Sequence, residues 1–167
     1  MMSESNQHFS IQADDGQSYF VIGDVITFKI TGQETDNAYL IVEVVSQPGG
    51  GPWFLHTHEP QETFYVVEGV FEVYGQDEHG EKYAIRADVG DTVHVPGDTP
   101  HGFKNVGDTE GKMILTYHPA APMLNFFQEV GIPMSDRTTL PDMSNAPDNN
   151  QIMAILRKYM TLVEVPG

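Results

Sequence analysis

The sequence contains no cysteine, which excludes both disulfide bonds and thiolate metal ligands. It is poor in positive charge, since 8 Lys and Arg residues against 24 Asp and Glu give a formal net charge of −16. A net negative charge of this size repels nucleic acid and anionic membranes, so we expect neither as a partner. No apolar run approaches the roughly 18 residues of a membrane-spanning helix. The first residues lack the basic and apolar regions of a secretion signal, so we expect a cytoplasmic protein.

The sequence does contain many short segments that are rich in β-branched and aromatic residues and are bounded by Gly, Pro, Asn or Asp. These segments predict two strands within 18–30 and further strands at 38–46, 64–68, 70–74, 81–87, 91–95, 101–106 and 112–118. Short strands at such close spacing predict an all-β fold, either a barrel or a jelly roll. The segment 31–37 between the second and third strands is predicted to be a loop.

The pattern changes after residue 119. Segment 122–130 starts with a proline and is followed by Gly131, which predicts a short helix. Residues 131–147 contain three prolines among polar residues and predict irregular chain, whereas 148–162 has apolar residues at helical spacing and predicts a second helix. We therefore divide the chain into a barrel, 1–121, and a helical extension, 122–167. We expect the extension to pack against the barrel or a partner subunit, with a lid as the alternative.

Four residues form the candidate chemical site. His56, His58 and Glu62 lie two and four residues apart, and residues of equal parity share one face of an extended strand. Two imidazoles and a carboxylate are costly to bury without a partner, and a metal ion is the usual one. His101, which follows a proline-rich turn, is the fourth candidate. A hydrogen-bonded structural role is the alternative for any single histidine.

Three apolar residues share parity with these candidates and could form a pocket beside them. They are Phe64, Val66 and Phe103. Ordinary barrel core is the alternative position for all three. An apolar, aromatic lining would favour a flat or apolar small-molecule substrate.

Two motifs carry a resemblance to a known family. Residues 50–69, GGPWFLHTHEPQETFYVVEG, resemble the first motif of the cupin superfamily, and residues 90–105, GDTVHVPGDTPHGFKN, resemble the second. The second motif departs at Asp98, where the pattern has glycine, although Asp tolerates the positive φ that glycine suggests. The resemblance implies a double-stranded β-helix, that is a jelly-roll barrel of about 38–118, with short C-terminal helices.

The same resemblance implies one divalent transition metal per chain, held by His56, His58, Glu62 and His101. Three imidazoles and one carboxylate suit Fe, Mn, Ni, Co or Zn. Cupins often form dimers, so the resemblance also implies a homodimer.

Within the superfamily the chain resembles small single-barrel proteins of the quercetin 2,3-dioxygenase type. That resemblance implies dioxygenolytic opening of a flavonol or related enol, with Glu62 as the base that takes the proton of the substrate hydroxyl. Two alternatives remain open. One is a different metal-dependent cupin enzyme, such as an isomerase or lyase, and the other is a cupin that binds a small molecule without turnover.

Overall fold

The computed structural model describes residues 7–164, and it confirms the all-β prediction. These residues form twelve strands: β1 Ser18–Val21, β2 Asp24–Ile30, β3 Leu40–Ser46, β4 His56–Thr57, β5 Gln61–Glu68, β6 Phe71–Gln76, β7 Lys82–Ala87, β8 Thr92–Val95, β9 His101–Asn105, β10 Gly111–His118, β11 Ile132–Met134 and β12 Thr161–Leu162. They also form three helices: α1 Gly32–Thr35, α2 Ala121–Val130 and α3 Asn149–Tyr159. No helix in these residues has the length and apolar content that a membrane crossing requires.

The strands build two antiparallel sheets, one with the order β11-β1-β2-β3-β10-β5-β8 and one with the order β12-β4-β9-β6-β7. The core lies between the sheets because inward positions alternate with outward ones along each strand. On β10, Met113, Leu115 and Tyr117 are buried, whereas the residues between them are partly exposed. Leu115 pairs with Val42 on one side and with Phe64 on the other. These inward side chains form the part of the core that lies next to the site.

Two loop predictions are wrong in part. Residues 31–37 contain the short helix α1, because Thr31 caps its first turn and Glu34 completes a capping box with the backbone of Thr31. Residues 131–147 are not wholly irregular, because β11 pairs with β1 at the edge of the larger sheet. An edge strand tolerates Pro133, since the missing N–H leaves no inner partner unpaired.

The two C-terminal helices lie close to their predicted positions. α2 covers the predicted 122–130, and α3 starts at the predicted place because the Asp148 side chain accepts a hydrogen bond from the N–H of Gln151. α3 ends three residues before the predicted 162, because the chain turns extended at Met160 and enters β12. Buried residues of both helices belong to the same hydrophobic cluster as the barrel strands.

The short strand β12 pairs with β4, so that Leu162 lies opposite His56. The backbone N–H groups of Val163 and Glu164 donate to the carbonyl of Leu55, the residue before β4. The end of the described chain therefore covers the free side of the two-residue strand that carries His56.

Candidate metal centre

The structure brings His56, His58, Glu62 and His101 together, but not on one continuous strand. His56 is on β4 of the smaller sheet, His58 is in the turn after β4, and Glu62 is on β5 of the larger sheet. The prediction that they share the face of one extended strand is therefore wrong in its geometry. The chain crosses from one sheet to the other between residues 58 and 60, and the crossing aims all three side chains inward.

The second motif meets the first at this crossing. His101 on β9 pairs with His56 on β4. The N–H of Asp98 donates to the carbonyl of His58 at 2.8 Å, and Asp98 has the positive φ, 56°, that the sequence suggested. A Cβ at Gly97 would lie 2.4 Å from the carbonyl oxygen of Glu59, so only glycine allows the two turns to approach this closely.

A nearby backbone carbonyl group orients the ring of each histidine. The Nδ1 atoms of His56, His58 and His101 lie 2.9, 3.0 and 2.8 Å from the carbonyl oxygens of Phe54, Pro60 and Thr99. A carbonyl oxygen can only accept, so each Nδ1 carries the proton and each Nε2 of a neutral ring keeps a lone pair. This arrangement is typical of metal-ligating histidines, whose second nitrogen is tied to a carbonyl or carboxylate.

The free nitrogens converge. One donor atom from each of the three histidines lies within 4.8 Å of the other two. The Nε2 atoms of His58 and His101 are 3.0 Å apart, and Glu62 Oε2 lies 3.2 and 2.9 Å from them. Two lone pairs and a carboxylate at such distances repel one another unless a proton or a cation lies among them. The three imidazoles therefore fit a divalent transition metal, and the Glu62 carboxylate lies beside two of them.

Burial dominates the electrostatics, because the three histidines and Glu62 are each 3–5% exposed. Burial, reinforced by the charge of His101, lowers the pKa of His56 to about 3. Burial would also lower the pKa of His101, but the hydrogen bond and charge of Glu62 outweigh it and raise that pKa. Burial would raise the pKa of Glu62, but the hydrogen bonds with His101 and His58 outweigh it, so the pKa is lowered and the carboxylate is ionised.

The cluster faces a cavity of about 360 Å³ inside the barrel, within the size range of small-molecule sites. Of the three residues considered for its wall, Phe103 lines the cavity. Phe64 and Val66 do not: they are 0% and 1% exposed and lie in the barrel core, which was the alternative position. Phe64 supports the wall from behind, with its ring centroid 5.6 Å from that of Phe103.

The C-terminal helices close this cavity. The sequence had left two alternatives for them, packing against the barrel or a partner subunit and forming a lid. The residues that they contribute to its wall are Met123, Phe126 and Phe127 of α2, Leu156 of α3 and Met160 just after it. The ring of Phe127 contacts Tyr117 of the barrel at 5.8 Å between centroids. The helices therefore shape the space in front of the histidines instead of lying on the outer face of a sheet.

Three polar or aromatic wall residues were missed by the sequence reasoning. Tyr117 lies directly opposite Glu62 on β10, and the alternation of buried residues along that strand could have identified it. Burial and the adjacent Glu62 charge raise the pKa of Tyr117 well above its usual value, so its hydroxyl stays protonated. Asp24 lies between the two strands predicted within 18–30, and Trp53 lies within the first motif; neither was a candidate, yet both line the cavity. Neither had a sequence signal.

Residues 42–117 match the family model described as a cupin domain. The matched segment is just under half of the chain. The matched segment contains all four candidate ligands, both short motifs and most of the two sheets, whereas β1, β2 and the helices that close the cavity lie outside it.

Solved structures agree on the fold. An RmlC-like cupin from Shewanella frigidimarina superimposes with a TM-score of 0.54 at 23% identity, over 71% of this chain and 96% of that one. Oxalate decarboxylase from Bacillus subtilis superimposes with a TM-score of 0.60 at 19% identity, over 100% of this chain and 44% of that one. At these identities the likeness establishes the cupin fold and does not extend to the reaction.

One curated relative is more similar in sequence. It is the protein named polyketide synthase CurC from Streptomyces cyaneus, 46% identical over 68 residues. The match covers 40% of this chain and 41% of that protein.

Proposed function

We propose that the protein is a metal-dependent cupin dioxygenase that acts on a flavonol or a related aromatic enol. The observation that carries the proposal is the convergence of one donor nitrogen from each of His56, His58 and His101, with the Glu62 carboxylate beside two of them, in the wall of a largely apolar cavity. A bound Fe, Mn, Co or Ni would supply Lewis acidity and the electronic states needed to react with dioxygen.

The residues of the chain have distinct roles in this proposal. His56, His58 and His101 hold the ion, and their backbone-bound Nδ1 atoms fix the ring orientations. Glu62 takes the proton from the enolic hydroxyl of the substrate at Oε2. Tyr117, fixed opposite Glu62 and protonated, supplies a polar hydroxyl beside the carboxylate that takes up this proton.

The cavity wall selects the substrate. Aromatic and sulfur-containing side chains from the barrel and from α2, among them Phe103, Phe126 and Met123, would sandwich a flat ring. Closure by the helices also limits the access of water to the reacting atoms.

The relative named as a polyketide synthase favours a second candidate. Polyketides are rich in 1,3-dicarbonyl groups, whose enols can bind a metal and lose a proton to a carboxylate base. The same four residues could then perform a proton-transfer step on a polyketide-type enol, such as an isomerisation or an elimination, without dioxygen.

Oxygen uptake distinguishes the two candidates. The protein is loaded in turn with Fe, Mn, Co, Ni and Zn and is mixed with quercetin or with a 1,3-diketone, and dissolved oxygen is recorded. The zinc-loaded protein is the control, because zinc occupies the same kind of site without redox chemistry. Uptake with at least one redox-active metal and none with zinc supports the dioxygenase. Turnover of the diketone in the absence of oxygen supports the second candidate and contradicts the first.

A further inference from the structure

Asp24 is a buried carboxyl group in the cavity wall that the proposed chemistry does not use. Its residue is 4% exposed, and its Oδ1 accepts a hydrogen bond of 2.7 Å from the Ser46 hydroxyl. Its other oxygen, Oδ2, makes no hydrogen bond to the described residues. A carboxyl group in a largely apolar cavity wall loses much of its hydration, and the single hydrogen bond from Ser46 replaces only part of that loss. A ligand that forms a hydrogen bond with Oδ2 would offset this loss.

The glycine-rich loop before β4 is shaped around this group. A Cβ at Gly50 would lie 2.6 Å from Ser46 Oγ and 3.1 Å from Asp24 Oδ1, so the backbone can pass over the pair only because residue 50 has no side chain. Gly50 and its neighbour Gly51 both line the cavity. The carboxyl group is therefore held in one orientation from two sides.

Asp24 and the histidines line the same cavity, and the charge of Asp24 contributes to the raised pKa of Tyr117. Strand β10 passes both groups: its Gly111 pairs with Ser46, the partner of Asp24, and its Tyr117 lies opposite Glu62. Leu115, which lies between Gly111 and Tyr117 on this strand, lines the cavity with an apolar side chain. The cavity wall thus holds a second polar group besides the histidine cluster, with apolar side chains around it.

We propose that Asp24 binds a hydroxyl group of the substrate, and that the substrate is a phenol with its enol at the histidines and a second hydroxyl at Asp24. This inference rests on the proposed function. A hydroxyl suits the site because it donates to a carboxylate and accepts from a carboxylic acid. Burial, only partly offset by the Ser46 hydrogen bond, raises the pKa of Asp24 to about 7, so both forms are present near neutral pH.

The test compares ligands that differ only in the second hydroxyl. The zinc-loaded protein, which binds without oxidising, is titrated with 3-hydroxyflavone, 3,7-dihydroxyflavone and 3,4′-dihydroxyflavone. Trp53 is the one tryptophan in the sequence and lines the cavity, so its fluorescence reports occupancy, with calorimetry as the second measurement. The variant is Asp24→Asn. The matched control is Glu43→Gln, because Glu43 is a buried carboxylate that pairs with Arg137 away from this cavity.

We expect at least one dihydroxyflavone to bind the wild-type protein and the Glu43→Gln variant roughly tenfold more tightly than 3-hydroxyflavone. In Asp24→Asn the affinity for that dihydroxyflavone should exceed the affinity for 3-hydroxyflavone by less than about threefold, while the affinity for 3-hydroxyflavone stays the same. An advantage that persists in Asp24→Asn, or that is missing in the wild type although 3-hydroxyflavone binds, overturns this inference and leaves the proposed function intact. Failure of all three ligands to bind overturns the proposed flavonol function together with the inference.

A second variant covers the case in which Asp24→Asn does not fold. Ser46→Ala removes the hydroxyl that orients the carboxyl group and leaves Asp24 in place. We expect this variant to lose part of the preference for the dihydroxyflavone without weaker binding of 3-hydroxyflavone. An unchanged preference in Ser46→Ala would contradict the oriented contact.

Discussion

The histidine cluster and the cavity wall that faces it come from different parts of the chain. All four candidate ligands lie within residues 42–117, the segment that matches the cupin-domain model, and the three histidines are oriented by backbone carbonyls and by the pairing of β4 with β9. Much of the facing wall lies outside that segment, at Asp24 and on α2 and α3. We therefore infer that the matched segment supplies the reactive groups and that the residues outside it select the molecule that reaches them.

The two regions also differ in their interactions. The cluster is polar and each imidazole has a defined hydrogen-bond partner, so small displacements are costly there. The facing wall is formed mainly by Met, Phe and Leu side chains, whose packing is less directional. We therefore expect substitutions in the cluster to abolish metal binding or turnover, and substitutions in the wall to change substrate affinity.

The largest expected effect concerns Glu62. Glu62→Gln keeps a metal-facing oxygen of similar size but loses the proton-accepting carboxylate, so the variant should retain metal while kcat falls by about 10²–10⁴-fold. Metal content by elemental analysis and turnover under the conditions that support wild-type activity give the two numbers. Undiminished turnover would rule out the role of Glu62 as base.

The next effect concerns the pairing of β12, near the end of the described residues, with β4. A variant that ends at Met160 lacks β12 and leaves β4, with His56, paired only to β9. We expect its metal affinity to fall by about 10–100-fold, because a support of a ligand is lost while the ligand itself remains. A chain that ends at Glu164 is the control, since it keeps β12. Equal metal affinity in both truncated chains would show that β12 does not position His56.

A smaller effect is expected in the wall. Phe127→Leu shortens an aromatic side chain that lines the cavity, so substrate affinity should fall roughly tenfold with metal content unchanged. Phe71→Leu is the matched control, because Phe71 is fully buried in the core and does not line the cavity. If Phe71→Leu weakens substrate binding as much as Phe127→Leu, general destabilisation and not the wall explains the loss.

The smallest effect is on stability. The folded protein raises the pKa of Asp24 from 3.8 to about 7, so between these values the folded state holds a proton that the unfolded chain has released. The free energy of unfolding of the metal-free protein should therefore fall as the pH rises from about 4 to 7, by a few kcal/mol from this group. Asp24→Asn should lack this contribution. Urea unfolding across that range measures it, and equal pH slopes in both proteins would contradict the raised pKa.

The difference between the two regions also explains what the sequence could predict. The strands and the starts of α2 and α3 follow from local patterns, namely short β-rich segments and the residues at the helix starts, and the two dense motifs identify His56, His58 and His101 as one site. The crossing between the two sheets that brings these histidines together does not follow from alternation along one strand. The positions of α2 and α3 over the cavity depend on contacts such as Phe127 with Tyr117, which no local pattern specifies. Asp24 was missed for the same reason, because its neighbours Ser46 and Gly50 are distant in sequence.

The most direct test of the account is the metal content of the wild-type protein and of the double variant His56→Ala, His58→Ala. Both proteins are loaded with the same divalent transition metal, passed over a desalting column and analysed for metal per chain, with circular dichroism to verify the β-fold. The account predicts about one ion per chain in the wild type and close to none in a folded double variant, because two of three converging imidazoles are gone. One ion per chain in the folded double variant would contradict the assignment of the metal centre.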